Sequence, residues 1–178
     1  GCLAVYSSEA QVENCHFVSC TAVGGEGGAL DAYASTVVVK DTSMEWSIAR
    51  EGGAINALQS PVYLSRLNLS NNSAGGMGGT LNFGLNSEIR MDNSNIFDSR
   101  SSGADGNDGG GGCAYLDQVT YADIKTSHFK NCYALGPGGA IAVHRSVDVS
   151  IDGHFESSVT DSKTGGGAIF LDFSDLSY

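Results

Sequence analysis

The sequence predicts an all-β fold, a right-handed parallel β-helix, from three observations. Gly-Gly pairs recur along the chain, apolar residues stand at fixed offsets from each pair, and short alternating segments fill each interval. The pairs open the frames Gly27-Gly28-Ala29-Leu30, Gly52-Gly53-Ala54-Ile55, Gly78-Gly79-Thr80-Leu81, Gly111-Gly112-Cys113-Ala114, Gly138-Gly139-Ala140-Ile141 and Gly166-Gly167-Ala168-Ile169. Their first glycines are 25, 26, 33, 27 and 28 residues apart. Gly1-Cys2-Leu3 fits the same frame from its second glycine onward. The long interval contains residues 101–110, a polar Gly/Asp/Ser stretch read as a surface loop inserted into an otherwise constant unit.

Each element of the unit follows from its pattern. Glycine reaches the positive φ of a tight corner without a Cβ clash, so the pairs are read as corners. The first strand starts there. Three residues after the first glycine come Leu3, Leu30, Ile55, Leu81, Ala114, Ile141 and Ile169, and five after it come Val5, Ala32, Ala57, Phe83, Leu116, Val143 and Leu171. A spacing of two places both columns on one buried strand face. The intervening column, Asp31, Asn56, Asn82, Tyr115, Ala142 and Phe170, is mixed, as an outward face is. A second alternating segment follows, as in Val37-Val38-Val39, Val62-Tyr63-Leu64, Ile89-Arg90-Met91 and Val147-Asp148-Val149-Ser150-Ile151. A large apolar residue near offset 17 marks a third: Phe17, Met44, Leu69, Phe129 and Phe155. Three short strands per ~26 residues, without a helical stretch and with few hairpin-turn signals outside the insertion, describe coils of a solenoid and not a sandwich.

Composition narrows the function classes. The 178 residues carry a formal charge of −11, and the nine Lys and Arg are scattered, which argues against nucleic-acid binding. No apolar run approaches ~18 residues, so no membrane span is expected. Dividing the length by the period yields six coils and part of a seventh, a single β-helical segment over residues 1–178 without terminal caps, as expected for an excerpt of a longer protein.

The Gly-Gly-Ala-Ile or Gly-Gly-Ala-Leu frame, followed later in the unit by a Phe-x-x-Asn-like signature, resembles the repeats of chlamydial polymorphic outer membrane proteins, which also occur in algal and protist surface proteins. The Gly-Gly half matches along the whole chain. In the second half Phe17 is followed at +3 by Cys20, Phe129 by Cys132, Phe155 by Ser158, and Leu69 by Asn72. The resemblance implies a secreted or cell-surface β-helix used for adhesion or as a scaffold, without a shared catalytic site.

Four of the five cysteines hold matched places. Cys2 and Cys113 follow the Gly-Gly corner of their coils, and Cys20 and Cys132 end the last strand of the same coils, 18 and 19 residues later. A coil closes on itself, so Cys2–Cys20 and Cys113–Cys132 disulfides are expected; the alternative is four buried free thiols. Cys15 is left over. Disulfides would imply an oxidising compartment, and the sequons Asn68-Leu69-Ser70 and Asn71-Asn72-Ser73 agree with secretion.

Four features offer chemistry. An outward column on consecutive coils holds Asp117, His144 and Asp172 beside Arg145, residue types able to do acid–base work on a polysaccharide. His128 and His154, each directly before a core Phe, stack on adjacent coils and offer two metal ligands. Within the insertion, Asp105, Asn107 and Asp108 alternate with glycine as in a calcium loop, but without the distal Glu of a full EF-hand. Tyr6 and Tyr33 share an outward column and offer stacking faces to a sugar. The runs Gly24-Gly25-Glu26-Gly27-Gly28 and Lys163-Thr164-Gly165-Gly166 belong to the repeat, which sets aside a phosphate-loop reading. Two functions are expected: an adhesive or structural segment that contacts protein neighbours or glycans, or a polysaccharide-active enzyme centred on Asp117, His144 and Asp172. No cofactor is expected apart from calcium at the insertion.

Overall fold

A computed structural model of the chain describes residues 1–103, 110–163 and 165–172. They form the expected parallel β-helix. On the first face, Leu3–Tyr6, Leu30–Tyr33, Ile55–Leu58, Leu81–Gly84, Ala114–Asp117, Ile141–His144 and Ile169–Asp172 pair in chain order as a seven-stranded parallel sheet. The second face stacks Glu9–Glu13, Thr36–Lys40, Pro61–Ser65 and Glu88–Asp92, and the third stacks His16–Val18, Ser43–Glu45, Asn68–Ser70 and Asn95–Ser101. Tyr121–Ala134 is continuous over 14 residues and serves both of those faces. The three-strand unit is therefore approximate. Ile48–Ala49 and Ser73–Ala74 add a fourth, two-residue strand in the coils that open at Gly27 and Gly52.

Inward columns fill the interior. Leu30, Ile55, Leu81 and Ile141 are almost fully buried, as are Val37, Val62 and Ile89 on the second face. On the third, Met44, Leu69, Ile96 and Phe129 form one column. Ile96 belongs to the same series and, like Phe129, lies one residue late; in its coil an extra corner residue follows Gly84, where Leu85 and Asn86 both have positive φ.

The corners differ from expectation in an instructive way. The coil that opens at Gly27 bends at four positive-φ residues: Gly27 (59°), Ala34 (49°), Asp41 (48°) and Trp46 (58°). Glycine thus occupies one corner of the four; the first glycine takes positive φ in the pairs at Gly27, Gly52, Gly78, Gly111 and Gly138, and the second does so in none. The second glycine answers a lack of space: a Cβ on Gly53 would overlap the Gly79 carbonyl oxygen of the next coil and the Ser73 backbone.

The other corners are held by small polar side chains. Just past the first corner, Ser35 and Ser60 are buried; the Ser35 amide donates to Ser60 Oγ at 3.1 Å, and the Ser60 amide to Ser87 Oγ at 3.1 Å. Each hydroxyl donates in turn to a carbonyl of its own coil, Tyr33 and Leu58 at 2.8 Å. Buried amides at a bend would otherwise have no partner. Thr42, Ser94 and Ser127 repeat the arrangement at the second corner.

Candidate functional site

The seam where a coil closes is built from two columns. One follows the Gly-Gly pair: Cys2, Ala29, Ala54, Thr80, Cys113 and Ala140. The other follows the third corner: Cys20, Ser47, Asn72, Ser99, Cys132 and Ser158. Cys2 and Cys20 are disulfide-bonded with Cα atoms 5.6 Å apart, and Cys113 and Cys132 with Cα atoms 5.3 Å apart. Cys15 is free and exposed. Thr80 and Ser99 close their coil with a 2.6 Å hydroxyl–hydroxyl hydrogen bond. Asn72 instead reaches sideways, accepting from the Ser47 amide at 2.8 Å and donating to the Met44 carbonyl at 3.0 Å. Opposite alanine, the buried hydroxyls of Ser47 and Ser158 have no hydrogen-bond partner among the described residues.

The first face presents the Asp117, His144, Asp172 column as expected: the three are register partners on adjacent strands. His144 Nδ1 lies 3.8 Å from Asp172 Oδ2, and the His144 ring is flanked by Tyr115 at 5.3 Å and Phe170 at 5.2 Å. Both Asp117 oxygens accept from the Arg145 guanidinium, Oδ1 from Nε at 2.9 Å and Oδ2 from Nη2. This bidentate pair takes one lone pair on each Asp117 oxygen and holds the carboxylate in an ion pair, which weakens it as a general base.

The mixed column of that face forms a continuous polar chain that was not evident from sequence. Tyr6 donates to Asp31 at 2.8 Å, Asn56 Nδ2 donates to Asp31 at 2.8 Å and to Glu26 at 3.0 Å, and Asn82 Nδ2 donates to Asn56 Oδ1 at 2.7 Å. The hydrogen bond to Asp31 raises the Tyr6 hydroxyl above its ordinary pKa. Asn56 and Asn82 point outward yet are 1% and 4% exposed, because Glu26 and Glu51, which directly precede the Gly27 and Gly52 corners one coil earlier, lean over them. The chain ends at a dent beside Gly84, bounded by Glu51, Leu58, Met77, Tyr115 and Asp117. Burial, then the Asp117 charge, pushes the Tyr115 hydroxyl up to about 12. Tyr33 is exposed in the column beside Tyr6, so these two rings do lie on adjacent strands.

On the third face His128 and His154 are register partners with ring centroids 4.7 Å apart, edge to face. Glu156, two residues beyond His154, adds a carboxylate that the column reading missed because it stands in the next outward column, opposite Lys130. The signal was the His-x-Glu alternation on one strand. Lys130 Nζ lies 3.0 Å from Glu156 Oε1, and its hydrogen bond holds the Glu156 carboxyl below the usual range.

Asp105, Asn107 and Asp108 lie outside the described residues, as does Thr164 of the second glycine-rich run. Among the described residues there is no helix to hold a phosphate at either run, and no helix long and apolar enough to cross a membrane. The sequon residue Asn68 is exposed and Asn71 sits at a third corner. No known protein family, curated protein or solved structure matches the chain.

Proposed function

We propose that this chain is a rigid, disulfide-stapled β-helical segment of a secreted or cell-surface protein, acting as a scaffold or adhesive surface toward protein neighbours or glycans. One observation carries the reading: ladders of outward polar side chains bond to neighbours one coil away. Tyr6–Asp31, Asp31–Asn56 and Asn56–Asn82 join coils on the first face. Arg66–Asp41 joins them at the second corner, and Asn131–Asp98 and Tyr133–Asp161 along the third. Exposed pairs of this kind add little energy singly. As ladders they fix the spacing of neighbouring coils, which suits a spacer or a display surface. Disulfides form and persist in oxidising compartments, which supports placement outside the cell. The likeness of the Gly-Gly frame to polymorphic outer membrane protein repeats points the same way.

The enzyme reading keeps one favourable feature, the register of Asp117, His144 and Asp172, and is opposed by the Arg145 clamp on Asp117. Two assays on the purified chain separate the readings. Beads coated with the protein are expected to adhere to cells or glycan-coated surfaces, equally for wild type and the D117A/H144A variant, while neither releases new chain ends from acidic polysaccharides. Polysaccharide cleavage that vanishes in D117A/H144A would establish the enzyme instead.

A further inference from the structure

Three side chains of the third face do more than the coil-stitching ladders require. His128 lies beside His154 on the neighbouring strand, and Glu156 projects from the same side of that strand two residues on. Their ligand atoms all fall within 4.8 Å of one another. His128 Nε2 is covered and has no hydrogen-bond partner among the described residues, with Glu156 Oε2 the facing oxygen at 3.6 Å. A buried ring nitrogen without a partner is uncommon and calls for an explanation.

The local backbone is irregular where these residues meet. Ile124 pairs with Ile151, but Ser127 pairs with Gly153, so the later strand is one residue shorter between those points. That slip sets His154 opposite His128. It also places Gly153 where a Cβ would come within 2.9 Å of the Ser127 carbonyl and 3.5 Å of the Phe129 ring. Irregularities of this type commonly re-aim a side chain beside a functional site.

We propose that His128, His154 and Glu156 bind a zinc ion, two imidazole nitrogens and one carboxylate oxygen leaving the fourth tetrahedral position open. Two imidazoles favour a borderline divalent ion such as zinc over calcium or magnesium, which take oxygen ligands. Bonds of about 2.1 Å put tetrahedral ligand atoms about 3.4 Å apart, so the site closes by side-chain rotation of the partly exposed His154 and Glu156. Lys130 on Oε1 orients the carboxylate and leaves Oε2 toward the imidazoles. A cleft lined by Thr126, Ser127, Asp152 and Gly153 lies beside the two imidazoles.

The test is zinc chloride titration by calorimetry of the whole chain with its disulfides intact, in a Cys15→Ser background, since the free, exposed Cys15 thiol is itself a zinc ligand. One equivalent is expected to bind. His128→Ala, His154→Gln and Glu156→Gln should each weaken binding at least about tenfold, while His16→Ala leaves it unchanged. Melting of the metal-free variants, expected to match the parent, separates lost ligands from lost fold. Absence of saturable binding, or affinity unchanged in any one of the three ligand variants, overturns the site.

Discussion

Two successive coils, one opening at Gly111 and the next at Gly138, share long strand pairing and differ at the seam. The first closes through Cys113–Cys132, both cysteines buried; the second has Ala140 and Ser158 at the same two places, and the Ser158 hydroxyl has no hydrogen-bond partner among the described residues. The Gly111 coil also carries Tyr115 where the Gly138 coil has Ala142. The difference teaches that the coil backbone does not depend on how its seam is closed. Disulfide, hydroxyl pair and alanine–serine alternatives sit in one register, so the seam tunes stability on a fold set by the inward columns and corners.

That comparison can be broken or sharpened by substitution. The largest effect is expected from opening the stapled seam: Cys113→Ala with Cys132→Ala should lower unfolding free energy by roughly 3 kcal/mol, from the entropy of a loop of this size, measured by denaturant unfolding. No loss would mean that the bridge contributes nothing to the folded coil. Next, Ala140→Cys with Ser158→Cys should form a bridge by the same geometry and raise stability by about 2 kcal/mol, read from the same curves under oxidising and reducing conditions. Failure of the two thiols to join would show that the two seams differ in backbone and not only in side chain.

Smaller effects distinguish the hydroxyl seams. Ser99→Ala leaves the buried Thr80 hydroxyl without the Ser99 partner and should cost about 1–2 kcal/mol, whereas Ser47→Ala removes a buried hydroxyl that has no partner among the described residues and should be neutral or slightly stabilising. Equal losses for the two would contradict the assignment. The smallest effect concerns alkaline pH. Tyr115 is raised from 10.0 to about 12, so its contribution is complete below pH 10 and is lost as pH climbs from about 10 through about 12, where the unfolded chain ionises first. Tyr115→Phe should flatten stability over that window relative to the parent, with the raised Tyr6 and Tyr133 contributing equally to both.

Much of this was legible in the sequence because a solenoid repeats its chemistry. The Gly-Gly frames and the inward columns follow from phase alone; phase also brings each cysteine pair to one seam, while the Cα separations of 5.6 and 5.3 Å that let the thiols join are a property of the fold. What escaped was whatever the repeat does not copy faithfully. Ile96 stands beside Phe97, and the sequence alone does not say which of two adjacent large apolar residues turns inward behind the extra corner residue after Gly84. Asn56 and Asn82 looked like ordinary outward residues because their covers, Glu26 and Glu51, come from segments before the neighbouring corners. Ser35, Ser60 and Ser87 do share a phase, but serine is common at bends, and only the amide-to-hydroxyl contacts reveal a ladder. Glu156 was passed over because stacking was sought within a single column, whereas two outward columns of one face converge on the same space.

The central claim is that each stapled coil closes upon itself through its own pair of cysteines. Peptide mapping of the protein secreted by an oxidising host, digested without reduction and read by mass spectrometry, tests it directly. The account predicts two linked fragments, Cys2 with Cys20 and Cys113 with Cys132, and a free thiol at Cys15. Four free thiols at those positions, or Cys15 joined to any other cysteine, would contradict it.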